Sequence, residues 1–253
     1  MKIKNLEGLQ WQPTVKSLEL WNSNIQAKEE DNTISILEEI GENMWGEGVT
    51  AKRIYHALRD IGNKDVTVTI NSPGGSMFEG LAIYNLLKEH KAKVTIKIIG
   101  LAASAASIIA MAGDEIQIAK SGFIMIHNAW VGVMGNKHFL REVADDLEPF
   151  DKSIIGVYAD ATGLKESEII EMMDKETFLS GEESVEKGFA TSYLDNKELK
   201  EGEPKNSIFA KRRMDTAMAK AGVTRSERRE LFKEFENSLK YKELFKPLPK
   251  IEI

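Results

Sequence analysis

Two residues in this chain have the type and the setting for nucleophilic catalysis. Ser104 stands in Gly100-Leu101-Ala102-Ala103-Ser104-Ala105-Ala106, where an apolar run gives way to small residues. Small residues let a strand turn sharply into a helix and let another backbone come close. A helix start offers free N–H groups and the positive end of a dipole, which favour a developing oxyanion. The same place suits an ordinary serine N-cap of a buried helix. Ser107 is a competing hydroxyl about one turn further on, where it reads as core. His127 closes the apolar run Phe123-Ile124-Met125-Ile126 and precedes Gly132 and Gly135. A general base must leave the sheet beside its nucleophile, and this position permits that, as it permits a hydrogen-bonded structural histidine. His56, His90 and His138 fall on helices, and no two histidines form a His-x-x-x-His pair, which excludes a zincin. Gly74-Gly75, in Asn71-Ser72-Pro73-Gly74-Gly75-Ser76, is either a plain turn or an oxyanion donor with a backbone edge that an extended peptide can join as a strand. Neither G-x-G-x-x-G nor G-x-x-x-x-G-K-[ST] occurs, so nucleotide binding has no support.

These turns punctuate an alternation of strands and helices. Thr33–Ile40 alternates as a strand. Thr50 caps a helix with Ile54, Ala57, Leu58 and Ile61 at helical spacing, and Gly62 stops it. Asp65–Asn71 is a clean strand, Pro73-Gly74-Gly75 breaks it, and Phe78–His90 reads as a helix. Lys93–Ile99 is the next strand, and Ser104–Ala112 a buried helix of small residues. Short strands are expected near Glu115–Ala119 and Gly122–Ile126. Helices follow at His138–Ala161, Leu164–Met173 and Gly181–Lys187, then a strand at Thr191–Leu194. A terminal helix, Thr224–Leu239, opens on the capping box Thr224-x-x-Glu227. This order predicts an α/β fold with right-handed crossovers and a mostly parallel sheet, whose function collects where strands hand over to helices.

Composition narrows the chemistry. The 253 residues suit one or two domains, and 42% hydrophobic content rules out wholesale disorder. Cys 0 removes disulfides, thiolate zinc sites and a cysteine nucleophile together, and is compatible with a reducing cytoplasm. The net charge of −6 is uneven: residues 200–253 carry 14 Lys/Arg against 9 Asp/Glu, leaving 20 basic and 31 acidic residues in 1–199. An acidic body is a poor partner for nucleic acid. The uncharged runs Ile98–Gly113 and Ser121–Asn136 are too short and too interrupted by glycine and polar residues to span a membrane. No secretory signal is visible near Met1.

Four segments, in order, carry a specific resemblance. INSPGGSMFEGLAIYNLL, GLAASAAS, FIMIHNAW and ETFLSGEESVEKGFAT are similar to the Gly-Gly, nucleophile, histidine and acid segments of ClpP-like serine peptidases, over about residues 33–195. The resemblance implies a ClpP/crotonase-like spiral of parallel β-strands with flanking helices, Lys137–Thr162 being a protruding handle helix. It implies Ser104 as nucleophile, His127 as base, and the N–H groups of Gly75 and Ala105 as the oxyanion hole. Extended substrate would lie along Gly74, Gly75, Ser76 and Met77. The family's acid is an Asp two positions before the Phe of Phe-Leu-Ser; that place here is Glu176, with Asp174 the nearby alternative. No metal or nucleotide cofactor is implied, and a homo-oligomeric ring is.

The Glu176-Thr177-Phe178 pattern, the segment Ser17-Leu18-Glu19-Leu20-Trp21-Asn22 before Thr33–Gly41, and the basic extension after Asp195 look most like the ClpP-like head maturation (prohead) proteases of tailed phages. Their substrates would be scaffold and capsid proteins, in the host cytoplasm or the prohead interior. The alternatives are the proteolytic subunit of an ATP-dependent Clp protease working with an AAA+ unfoldase, a crotonase-type acyl-CoA enzyme, and an inactive scaffold. The expected organisation is an N-terminal arm (1–31), a protease domain (32–195), and a linker with a basic helical tail (196–253).

Overall fold

The computed structural model describes residues 13–21, 25–26, 32–42, 48–194, 200–201, 214–215, 217–218, 221 and 223–244. Five strands form the main sheet in the order β2 (Thr33–Ile36), β3 (Val66–Ser72), β4 (Val94–Ala103), β5 (Glu115–Ile118), β8 (Ser192–Tyr193), all neighbours parallel. β6 (Phe123–Ile126) runs parallel to the far end of β4, and β7 (Thr177–Ser180) pairs antiparallel with β6. Ten-residue β4 therefore organises the sheet: its first half holds β5 and its second half holds β6. Ile70, Ile96, Ile98, Ile118 and Ile126 are sealed from solvent in one core, as the near-continuous apolar runs of a doubly covered parallel sheet require.

The helices follow the local signals. Thr50 accepts from the Arg53 N–H at the start of α2 (Ala51–Ile61), and Gly62 ends it at φ 74. Ser76 accepts from the Glu79 N–H at the start of α3 (Met77–Lys88). α4 (Ala105–Ala110) is buried along its whole length. α5 (Lys137–Thr162) begins at the Asn136 cap and ends at Gly163, left-handed at φ 74. Its two ends differ: no residue of 137–149 is buried, whereas Ile154 and Tyr158 are sealed into the core. α6 (Glu166–Asp174) and α7 (Gly181–Glu186) flank β7; the Glu168 carboxylate accepts from the Lys165 N–H at the start of α6, and α7 opens on the Ser180–Glu183 capping box. Among the described residues no helix is long and apolar enough to cross a membrane.

Four elements were not expected from the sequence, and a fifth is longer than expected. β7 was not expected, because four residues between two helices show no usable alternation. α1 (Val15–Leu20) lies in the segment expected to be an arm, and it is firmly packed. Leu18 and Trp21 meet Leu101, Ala103 and Met125 in a second small core, with Phe178 against it. β1 (Ile25–Gln26) pairs antiparallel with β9 (Lys200–Glu201), tying the segment before β2 to the segment after β8. The terminal helix α8 (Arg225–Leu244) is longer than expected, and Arg228 on it is buried against Asp215, Nε to Oδ1 at 2.5 Å.

Candidate active site

The end of β4 sets the position of Ser104. β3 and β4 are in register from Val66↔Val94 to Ile70↔Ile98, then Ser72 pairs with Ala102, so β4 bulges beside Asn71. Asn71 is fully buried, and its side-chain oxygen accepts from the Leu101 N–H at 3.2 Å, satisfying a donor that the bulge removes from the ladder. The Trp21 indole donates to the Asn71 carbonyl at 2.8 Å, so α1 braces the same point. Ser72 donates to the Glu38 carbonyl at 2.6 Å and accepts from the Gly74 N–H at 3.2 Å, which folds the next turn back toward β4.

Gly74 and Gly75 are required by that turn. Gly74 has φ 90, and a Cβ there would meet the Ala103 carbonyl oxygen at 2.5 Å and Ser104 Cβ at 2.7 Å. Gly75 has φ 143, and its Cβ would sit 2.2 Å from the Ile40 carbonyl oxygen. The Ile40 N–H donates to the Gly74 carbonyl and the Ser76 N–H to the Ile40 carbonyl, each at 2.8 Å, leaving the Gly75 N–H between them turned away.

Ser104 does not cap α4: it makes no side-chain cap bond, and its backbone sits at φ 54, ψ −124. A non-glycine residue on this strained strand-to-helix turn exposes its Oγ at the top of the sheet. The conformation is held by the Ser104 N–H donating to Met125 and by the Ser104 carbonyl accepting from the Ser107 and Ile108 N–H groups. His127 leaves β6 beside it, with Nε2 2.7 Å from Ser104 Oγ. The imidazole is 7% exposed, and burial pushes it down to about 4, so it is neutral at physiological pH and able to take a proton.

The chain after His127 is pinned by two carboxylates. Asn128 Nδ2 donates to Asp174 Oδ1 at 2.8 Å, and the Ala129 N–H donates to Asp151 Oδ1 at 2.6 Å. Burial, with help from the Asp174 and Glu148 charges, holds the Asp151 carboxyl above the usual carboxylate range.

The acid is where the structure differs from the expected triad. Neither Glu176 nor Asp174 hydrogen-bonds to His127 among the described residues, and Asp174 is engaged by Asn128. Glu176 follows the α6 turn at φ 48 with its N–H on the Met173 carbonyl, and its side chain lies in solvent. The β6–β7 register, Ile126↔Thr177 at its last pair, continues by one step to set position 176 opposite 127.

An open cleft of about 350 Å³ gathers Gly75, Met77, Ser104, Ala105 and His127. No described residue accepts from the Gly75 or Ala105 N–H, so both remain available to a ligand oxygen. Gly74 and Ser76 support this rim rather than line it. Trp130, Ile154 and Tyr158 complete the walls and were not anticipated; the α5 pair falls at i, i+4 on a helix whose docked end no motif marks. Ser107 is buried as expected of core, but its hydroxyl is bonded to the Ser104 carbonyl and to Tyr158. His56 and His138 lie on the exterior. Among the described residues no group of three or more His, Asp or Glu side chains could hold a metal ion.

A hydroxyl on a strained strand–helix turn, a neutral imidazole on it, and free backbone donors beside it are the parts of a serine hydrolase of the acyl-transfer kind. The comparisons sharpen that class. The Clp protease family model matches residues 18–197, and the chain belongs to that family of serine peptidases. It is 30% identical over 134 residues to the ATP-dependent Clp protease proteolytic subunit of Deinococcus radiodurans, covering 52% of this chain and 66% of that protein. It is 29% identical over 169 residues to the subunit of Ligilactobacillus salivarius, covering 66% and 85%. Subunit 1 of Prochlorococcus marinus is 30% identical over 167 residues, covering 64% and 85%. The mixed α/β architecture, a mostly parallel sheet flanked by helices, is the ClpP-like fold.

Proposed function

We propose that this protein is a serine endopeptidase in which Ser104 attacks the scissile carbonyl and His127 takes its proton, then returns it to the leaving amine. The observation that carries this reading is the 2.7 Å contact between Ser104 Oγ and His127 Nε2, in a cleft shared with the free N–H groups of Gly75 and Ala105. Those two donors receive the oxyanion. Extended substrate lies along Gly74–Met77, of which Gly75 and Met77 line the cleft. Glu176 orients the imidazole and compensates its charge once its side chain swings from solvent onto Nδ1. The register that sets it opposite His127 supports this role, as does the engagement of Asp174 with Asn128. The subunits assemble into a ring through the exposed half of α5. A fluorophosphonate probe is expected to label the full-length protein at Ser104 alone, with labelling and peptide hydrolysis abolished in Ser104→Ala, a loss on the order of 10⁶ in kcat. Residual hydrolysis in Ser104→Ala, with Ser107→Ala dead, would overturn the assignment.

The biological setting that fits the basic extension after Asp195 and the Glu-x-aromatic segment is head maturation in a tailed phage, with scaffold and capsid proteins as substrates. A second reading is favoured by the curated relatives, each named an ATP-dependent Clp protease proteolytic subunit. That reading requires an AAA+ unfoldase partner in the cytoplasm. Cleavage of co-expressed capsid and scaffold proteins without ATP supports the first; ATP-stimulated proteolysis with a co-purified unfoldase supports the second.

A further inference from the structure

Tyr158 sits on the docked half of α5 with 1% of its surface exposed, and its hydroxyl lies 2.7 Å from Ser107 Oγ. Ser107 Oγ lies 2.6 Å from the Ser104 carbonyl oxygen. A carbonyl only accepts, so the Ser107 hydrogen goes to Ser104. The tyrosine hydrogen must then go to Ser107 Oγ. The chain of bonds has one direction, from Tyr158 through Ser107 to the Ser104 carbonyl.

That carbonyl belongs to the peptide plane joining Ser104 to Ala105. In a planar trans peptide the C=O and N–H point in opposite directions. Drawing the Ser104 carbonyl down into α4 therefore aims the Ala105 N–H up into the cleft, where no described residue accepts from it. The plane needs such a hold, because Ser104 at φ 54 occupies a strained backbone conformation. The Ser107 and Ile108 N–H groups reach the same oxygen as part of the first turn of α4, at 2.9 and 3.2 Å. The side-chain bond is the shortest of the three and the one tied, through Tyr158, to another element.

We infer that Tyr158 and Ser107 are positioning residues that hold the 104–105 peptide plane so that the Ala105 N–H faces the oxyanion. This rests on the peptidase reading above. It makes the handle helix α5 a support of the oxyanion hole as well as a wall of the cleft.

The test is the rate of Ser104 phosphonylation by a rhodamine fluorophosphonate, measured over a probe concentration series to separate the maximal rate from half-saturation. Removing one oxyanion donor elsewhere costs about 10²–10³ in rate, and a misaimed donor should cost less. Tyr158→Phe keeps the ring and is expected to lower the maximal rate about tenfold, with half-saturation and melting temperature near wild type. Ser107→Ala is expected to lower it at least as much, and Tyr158→Phe in the Ser107→Ala background should add nothing. A Tyr158→Phe protein with the wild-type maximal rate overturns the relay, and so does a double variant whose losses multiply in full. If Tyr158→Phe does not fold, Ser107→Ala with the wild-type rate overturns it equally. Wild-type protein that is not labelled at Ser104 overturns the peptidase reading, and the relay with it.

Discussion

At position 104 a serine holds a left-handed backbone that glycine would hold more easily, and the hydroxyl gained meets the His127 imidazole in the cleft. The partner imidazole is buried with no carboxylate on it among the described residues, and burial holds its proton affinity low. Glu176 is the expected carboxylate partner: Glu176→Gln should cost about 10⁴ in kcat, by the logic of removing the charge beside a catalytic imidazole, and Asp174→Asn much less. Steady-state hydrolysis of a small peptide decides, and the reverse order would make Asp174 the partner. Burial of His127 also bears on folding. Its folded value of about 4 lies below the ordinary 6.5, so the unfolded chain binds the extra proton. The stability involved is fully present above about 6.5 and lost as pH falls through about 4. Denaturant unfolding between pH 7 and pH 4 should show a loss of up to about 3 kcal/mol from this group. His127→Asn should flatten that dependence; parallel curves for the two proteins would locate the proton elsewhere.

Among the elements, α5 divides its work along its length. Ile154 and Tyr158 are core, with Phe150, Ile155 and Val157 packed against it, so the apolar stripe from Phe139 to Val157 is not a single exposed face. The outer half remains: Leu140 is 44% exposed, Phe139, Val143 and Leu147 are half-buried, and Met134 just before the helix is 86% exposed. Exposed apolar surface concentrated on one projecting half-helix marks an interface. The intact protein should sediment well above monomer mass at micromolar concentration, and Leu140→Asp should shift it toward monomer while leaving the core untouched. A wild-type species of monomer mass would remove the case for a ring. The Gly74-Gly75 turn tolerates no side chain. Any Cβ at Gly74 strikes the Ala103 carbonyl and Ser104 itself, so Gly74→Ala is expected to distort the Ser104 turn directly.

For the whole molecule, the described segments before β2 and after β8 are anchored in two ways. α1 packs against the end of β4, and β9 pairs with β1. Beyond β9, the buried Arg228–Asp215 pair binds α8 to its own approach segment. Breaking such a pair by removing one partner costs about 3–5 kcal/mol, because it strands a buried charge. The sheet and cleft residues lie between 33 and 194. A chain truncated after Asp195 is therefore expected to stay folded and to react with the fluorophosphonate at Ser104, while losing co-assembly with its partners. An insoluble or unreactive truncation would make residues 196–253 part of the catalytic domain.

Apart from β7, the strands and helices from Thr33 to Leu194 were legible from alternation, caps and glycines, because each signal there spans several residues. Ser104, His127 and the Gly74-Gly75 turn were legible because small residues and sudden polar ones interrupt apolar runs at strand ends. Six-residue α1, four-residue β7 and the two-residue strands β1 and β9 were not, since no periodicity can be read over so few positions. Only the tertiary structure decided which hydroxyl meets the imidazole. The Ser104–His127 contact depends on a bulge in β4 that Asn71 fills from a neighbouring strand. Only the tertiary structure set Tyr158 on Ser107, 51 residues apart in sequence, and left the Glu176 carboxylate in solvent. Local sequence determines which conformations a segment prefers; the distance between side chains on different elements is set by packing, which no single segment contains.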